Sequence, residues 1–220
     1  MSKRLVIFGA SDLAEIANFY FTQDSDYEVA GFTVDHAFID GNTAFGLPLV
    51  PFEDVEKTFP QSKFTMFIAI GYTQLNQARR RKYEEAKAKG YRFATYVSSR
   101  ASVWPGFSPG ENCFILEGNT LEPFSRIGDN VILWSGNRIC HHVEIGSHTF
   151  LASNVVVSGG TKVGEQCLIG ANATLRDHIT VGDRCLIGAG ALLLGDAEAD
   201  GVYSASPTER SSASNNLRRN

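Results

Sequence analysis

A six-residue repeat limits what the C-terminal half of this 220-residue chain can fold into. Stepping by six from Ile127 reads Leu133, Ile139, Ile145, Leu151, Val157, Val163, Ile169, Leu175, Val181, Ile187 and Leu193, so all twelve positions carry Ile, Leu or Val. Backwards the series runs Leu121, Ile115, Pro109 and Val103, with Pro109 the one break. Glycine often follows the aliphatic, as at Gly128, Gly146, Gly164, Gly170, Gly182 and Gly188. Two residues before it stands a small or β-branched side chain, such as Val143, Thr149, Thr161, Cys167 or Ala173. A fixed short period sustained this long is the mark of a solenoid. A hexapeptide period predicts a parallel β-helix, with each aliphatic pointing into a prism and small residues turning its corners.

The first 97 residues follow a different pattern. Apolar stretches at "RLVIF", "YEVAGFTV", "FTMFIAIG" and "RFATYV" alternate with helical ones. In "DLAEIANFYF", Leu13, Ile16, Ala17 and Tyr20 fall at i, i+3, i+4 and i+7, one face of a helix, with Ser11 or Asp12 as its cap. "QLNQARRRKYEEAKAKG" reads as a second, charge-rich helix closing on Gly90. Strand–helix alternation predicts a small parallel α/β sheet. The expected organisation is an α/β unit over 1–97, the β-helix over 98–205 and a polar tail over 206–220.

A net charge of −4 argues against nucleic acid and anionic membranes as partners. The tract Arg79-Arg80-Arg81-Lys82 is followed by Glu84 and Glu85 and reads as a solvated helix face. No apolar run reaches the roughly 20 residues of a membrane span, and the opening "MSKRLVIFGA" is too short for a signal peptide. The four cysteines form no CxxC pair, which points to a reducing, cytoplasmic setting.

The repeat resembles the left-handed β-helix of hexapeptide-repeat acyltransferases. Over residues 3–205 the chain is similar to bacterial sugar O-/N-acyltransferases of the sialic acid O-acetyltransferase type, a group that includes enzymes acetylating nucleotide-linked amino sugars. The resemblance implies a Rossmann-like N-terminal domain that holds a nucleotide sugar. It also implies a homotrimer with acetyl-CoA, a co-substrate, between neighbouring subunits, three hexapeptides per coil, and no metal or bound cofactor.

With three hexapeptides per coil, residues 18 apart stack at the strand spacing of about 4.8 Å. Gly159 then lies above His141 and Gly160 above His142, while Pro123 and Phe124 lie one coil below. Two glycines over two histidines leave a notch where a thioester can enter and a Gly N–H can act as oxyanion donor. The resemblance assigns His141 as general base, with Gly159 near the acyl group. An imidazole, ordinarily titrating near ~6.5, suits the removal of a proton from an attacking amine. The catalytic candidates are therefore His141, His142 and Gly159. Two positions depart from the family pattern: His142 stands where Glu or Asp usually follows the base, and Phe150 where many relatives carry a second histidine. The partner that orients His141 stays open among Glu122, Glu144 and a backbone carbonyl.

Gly9 and Ser11 in "FGASDLAE" match the family's glycine-rich turn, whose helix N-terminus favours phosphate. Asp35, ending the second strand, is placed to accept from a ribose hydroxyl or a base N–H. Gly71 and Tyr72 occupy the loop where relatives contact the nucleotide. The nucleotide-sugar candidates are thus Gly9, Ser11, Asp35, Gly71 and Tyr72. The acyl-CoA candidates, by position in the family, are Gly159, Gly170 and Gly188. The expected activity is N-acetylation of a nucleotide-linked amino sugar, with O-acetylation or a non-catalytic sugar-binding scaffold as alternatives. Less favoured are a zinc site from His141 or His142 with His148 and His178, a Cys140–His141 dyad, and an NAD enzyme, for which GxGxxG is missing after Gly9.

Overall fold

A computed structural model describes residues 3–207, and the expected tail beyond Pro207 lies outside the described residues. The α/β unit comprises β1 (Lys3–Phe8), α1 (Asp12–Gln23), β2 (Tyr27–Val34), β3 (Thr43–Ala44), β4 (Leu47–Pro51), α2 (Val55–Thr58), β5 (Thr65–Ile68) and α3 (Gln77–Ala88). Its strand order is β3-β4-β2-β1-β5, parallel except for the β3–β4 pair. The chain steps outward from β1 to β2 and β4, then returns to place β5 on the other side of β1. That reversal opens a crevice at the carboxyl ends of β1 and β5.

One strand lies outside the stretches read as strands, and two local readings change. The strand β4 carries Pro48 and Pro51, residues that argue against a strand interior, yet it lies near the sheet edge, where missing N–H groups are tolerated. The segment Gln74–Asn76 is not helical: three successive non-glycine residues take φ of 53°, 51° and 65°, and α3 begins only at Gln77. The apolar stretch "RFATYV" is divided between the two halves. Phe93 bridges Met66 of the α/β sheet, whereas Tyr96–Val97 (β6) is the first rung of the β-helix, pairing Tyr96 with Phe114.

The second half is a left-handed parallel β-helix of two-residue strands on three faces. The first face stacks Phe114–Ile115, Ile132–Leu133, Phe150–Leu151, Leu168–Ile169 and Leu186–Ile187. The second stacks Thr120–Leu121, Arg138–Ile139, Val156–Val157, Thr174–Leu175 and Leu192–Leu193. The third stacks Arg126–Ile127, Glu144–Ile145, Lys162–Val163 and Thr180–Val181. Register is 18 residues per coil, as in Ile132 with Phe150 and Glu144 with Lys162. All twelve aliphatics of the repeat are buried in one continuous core, the most exposed being Leu193 at 8%. The buried thiols of Cys113, Cys167 and Cys185 join them at the corners, donating to Gly128 O, Gly182 O and Glu198 O. Burial pushes Cys113 and Cys167 up to about 12, so neither supplies a thiolate.

Each coil turns three corners through a residue in the left-handed region, and these residues also stack 18 apart. One edge holds Asn112, Asn130, His148, Gln166 and Arg184, and a second holds Gly118, Gly136, Asn154, Asn172 and Gly190. The third, between the second and third faces, holds Gly106, Phe124, His142, Gly160 and His178. The α/β unit packs against the first face, where Phe114, Ile132 and Phe150 share a core with Ile7, Phe21 and Phe67. In a triangular prism, the edge bearing His142 is the one opposite that face.

The two halves are joined by α3, and here the reading of a solvated cationic face is corrected. Arg79, Lys82, Tyr83 and Ala86 are the buried residues of α3, at i, i+3, i+4 and i+7. Arg79 is fully buried and meets no carboxylate. Its guanidinium donates to Gly71 O at 2.6 Å, His148 O at 2.8 Å, Asn76 Oδ1 at 3.0 Å and, through Nε, to Asn130 O at 3.3 Å. Desolvation pulls it down to about 9. Asn76 Nδ2 donates to Cys167 O at 2.9 Å, which explains the left-handed turn that aims it inward.

Candidate active site

The paired histidines sit on the exposed edge opposite the α/β unit. His142 is itself a corner residue, with φ of 58°, a conformation that Asn, Asp and His adopt more readily than most side chains. Its ring lies 4.8 Å from that of Phe124 one coil below, tilted by 37°. His141 is anchored by its backbone: its N–H donates to Glu122 Oε2 at 3.0 Å, and its carbonyl accepts from Gly160 N–H at 2.9 Å. Glu122 Oε1 is taken by Arg138 at 2.6 Å. Between the rings, His141 Nδ1 and His142 Nδ1 stand 3.2 Å apart.

The expected stacking of Gly159 over His141 and Gly160 over His142 is present. A Cβ added to Gly159 would fall 2.6 Å from His141 Cε1 and 2.8 Å from its Nε2, so only glycine lets the ring lie against the next coil. The Gly159 carbonyl accepts from His178 N–H, while its own N–H donates to no group among the described residues. Gly160, with φ of 70°, turns the corner beneath the His178 ring. A groove of about 440 Å³ adjoins this edge one coil below, walled by Trp104, Pro105, Glu122 and Phe124.

The zinc set does not assemble within the chain. His148 is buried on another edge, where Asn130 Nδ2 donates to its Nδ1 at 2.9 Å. Asn130 Oδ1 accepts from Asn112 Nδ2, and Asn112 Oδ1 from the N–H of Ile68 in β5. This ladder fixes His148 as a neutral imidazole. Desolvation above all, aided by the nearby Arg80 and Arg79 charges, holds it down at about 4. Among the described residues no group of three His, Cys, Asp or Glu side chains could hold a metal.

A second cleft, of about 470 Å³, opens at the carboxyl ends of β1, β2 and β5. Ser11, Asp35, Phe38, Thr73 and Arg81 line it. Ser11 occupies the N-cap of α1, and its hydroxyl makes no capping bond. Gly9 beneath it has φ of 131°, and a Cβ there would meet Ala69 O at 2.9 Å. Asp35 Oδ1 pairs at 2.6 Å with Lys82, whose ammonium also packs over the rings of Phe8 and Phe52. Gly71 and Tyr72 do not line this cleft: the Gly71 carbonyl serves Arg79, and the Tyr72 ring packs 5.1 Å from Phe150. Phe38, 74% exposed at its mouth, was not singled out from sequence; a lone aromatic after Asp35 carries no pattern to mark it. Gly170 and Gly188 lie at the edge joining the first and second faces, one full face from Gly159, so a single protomer does not bring the three together.

Residues 124–159 and 160–195 match the family model described as bacterial transferase hexapeptide (six repeats), and 142–177 match the hexapeptide repeat of succinyl-transferase. Together these matches span residues 124–195, within the β-helical half. By sequence, no curated protein matches the chain. Among solved structures, the acetyltransferase domain of PglB from Neisseria gonorrhoeae in complex with acetyl coenzyme A is 20% identical. The match covers 95% of this chain and 99% of that one, with a TM-score of 0.82. The perosamine N-acetyltransferase PerB from Caulobacter crescentus, solved with CoA and GDP-perosamine, is 22% identical, covering 93% and 95%, with a TM-score of 0.79. WeeI from Acinetobacter baumannii is 18% identical, covering 94% and 99%, with a TM-score of 0.59. These proteins share the fold of both halves. No helix among the described residues is long and apolar enough to cross a membrane.

Proposed function

We propose that this chain is a cytoplasmic, acetyl-CoA-dependent N-acetyltransferase whose acceptor is a nucleotide-linked amino sugar, a 4-amino-4,6-dideoxy sugar by preference. Its product would feed surface-glycan synthesis. The observation that carries the reading is the His141 ring lying against Gly159, whose N–H has no partner among the described residues, on the open edge of a hexapeptide β-helix. The sugar amine attacks the thioester carbonyl and gives its proton to His141 Nε2. The Gly159 N–H stabilises the oxyanion. Collapse of the tetrahedral intermediate expels the CoA thiolate, which takes the proton back from His141. A base of this kind contributes about 10²–10⁴-fold.

The cleft with Ser11 and Asp35 supports nucleotide binding, because it lies at the strand-order reversal and beside a helix N-terminus. It belongs to the α/β unit on the first face, whereas His141 stands on the opposite edge. A sugar anchored in one protomer therefore reaches His141 of a neighbour. The exposed Trp104 and Phe124 beside the histidines, at 61% and 74%, support burial of that edge by another copy. Both features favour the homotrimer, in which Gly159 and the Gly170–Gly188 edge of adjoining protomers can wall one acetyl-CoA cleft.

The test is thiol release from acetyl-CoA with UDP-, dTDP- and GDP-linked 4-amino-4,6-dideoxy sugars and with free sialic acid. Turnover with one nucleotide amino sugar is expected. Turnover with sialic acid alone would reassign the acceptor to a hydroxyl, and tight sugar binding without thiol release would make the chain a scaffold.

A further inference from the structure

Glu122 and Glu144 were the side-chain candidates for orienting His141, and neither touches its ring. Glu122 spends one carboxylate oxygen on the His141 backbone N–H and the other on Arg138, and Glu144 makes no hydrogen bond to either imidazole. Among the described residues, the one group within hydrogen-bond distance of a His141 ring nitrogen is His142 Nδ1, at 3.2 Å from His141 Nδ1. Two imidazole nitrogens at this distance cannot both present lone pairs or both present protons while the rings are neutral. One Nδ1 carries hydrogen and the other accepts it.

We propose that His142 is the positioning residue of the base: its Nδ1 accepts the Nδ1–H of His141 and thereby leaves His141 Nε2 unprotonated toward Gly159. The assignment rests on the acyl-transfer reading, which requires a lone pair on the ring edge nearest Gly159, formed by Cε1 and Nε2. His142 then carries its own proton on Nε2. Its left-handed corner conformation bends the chain so that adjacent rings, which on an extended strand would diverge, face each other. The Phe124 ring beneath holds the His142 plane. A neutral imidazole thus does the orienting commonly done by a carboxylate. It selects the tautomer without adding a negative charge beside the base.

Two measurements test this. The first needs no substrate: imidazole ¹⁵N chemical shifts above pH 8 should show His141 protonated on Nδ1 and His142 on Nε2. The opposite pattern overturns the proposal. The second compares kcat in His142→Gly and His142→Asn, both compatible with the corner, since Gly160 and Asn residues hold left-handed corner positions elsewhere. Removal of the acceptor in His142→Gly should lower kcat by about 10–100-fold, with KM for both substrates nearly unchanged and the His141 proton shifted off Nδ1. The amide oxygen introduced by His142→Asn can accept the same hydrogen, so that variant should regain most of the loss. Wild-type kcat in His142→Gly, or equal loss in both variants, contradicts the positioning role. If the wild type turns over no acceptor, the functional reading fails while the ¹⁵N result still decides the tautomer.

Discussion

Replacing Gly159 by alanine separates catalytic geometry from stability. The new Cβ would lie 2.6 Å from His141 Cε1, whereas ordinary contact begins at 3.4 Å, so the ring must retreat by the difference, about 0.8 Å. No left-handed φ is needed at Gly159, unlike Gly160, so the backbone accepts alanine without strain. His141 is exposed and its ring can swing outward at small energetic cost. Folding stability should therefore change by no more than about 1 kcal/mol. Catalysis should respond far more. A misplacement of about 1 Å costs on the order of 10²-fold, or about 2.7 kcal/mol of barrier. The assay is kcat/KM for thiol release from acetyl-CoA, set beside a urea unfolding curve. In the double variant with His141→Ala, the two losses should not add, because both act on one ring. Unchanged kcat/KM in Gly159→Ala, or losses that add fully, would refute the reasoning.

Other consequences follow from groups outside the notch. Arg79→Met leaves the Gly71 and His148 carbonyls without donors, which at about 1–3 kcal/mol each predicts a loss of about 2–6 kcal/mol in chemical denaturation. His148 titrates at about 4 in the folded chain against an ordinary 6.5, so its contribution is complete above pH 6.5 and is lost as pH falls toward 4. That difference corresponds to about 3 kcal/mol. His148→Asn, which suits the same corner, should flatten the stability profile between those pH values. If the site is shared between protomers, co-expression of His141→Ala with a variant disabled in the Ser11–Asp35 cleft should yield activity that neither shows alone, since mixed trimers pair an intact cleft with an intact base.

The β-helix was legible because its core is one-dimensional. A buried aliphatic every six residues leaves the same trace in sequence and in space, and the 18-residue coil then puts Gly159 above His141 without coordinates. The α/β unit was legible only in outline. Charge counting hid the inward face of α3, although Arg79, Lys82, Tyr83 and Ala86 obey the same helical spacing as an apolar stripe. Carbonyls that satisfy a buried guanidinium come from residues distant in sequence, such as Asn130 and His148, and leave no local pattern. The strand β4, with Pro48 and Pro51, lies outside the stretches read as strands, and its place at the sheet margin is set by tertiary pairing. The partner of His141 was unreadable for a similar reason. Neighbours on an extended strand point apart, and only the left-handed turn at His142 folds the two rings together.

The most direct test of acyl transfer with His141 as base is the kcat of His141→Ala with whichever nucleotide amino sugar the wild type acetylates, at matched circular dichroism and matched acetyl-CoA binding. A fall of at least about 10²-fold with binding intact is predicted. Turnover within a fewfold of wild type would contradict the assignment of the base and, with it, the reading of the Gly159 notch as the place of reaction.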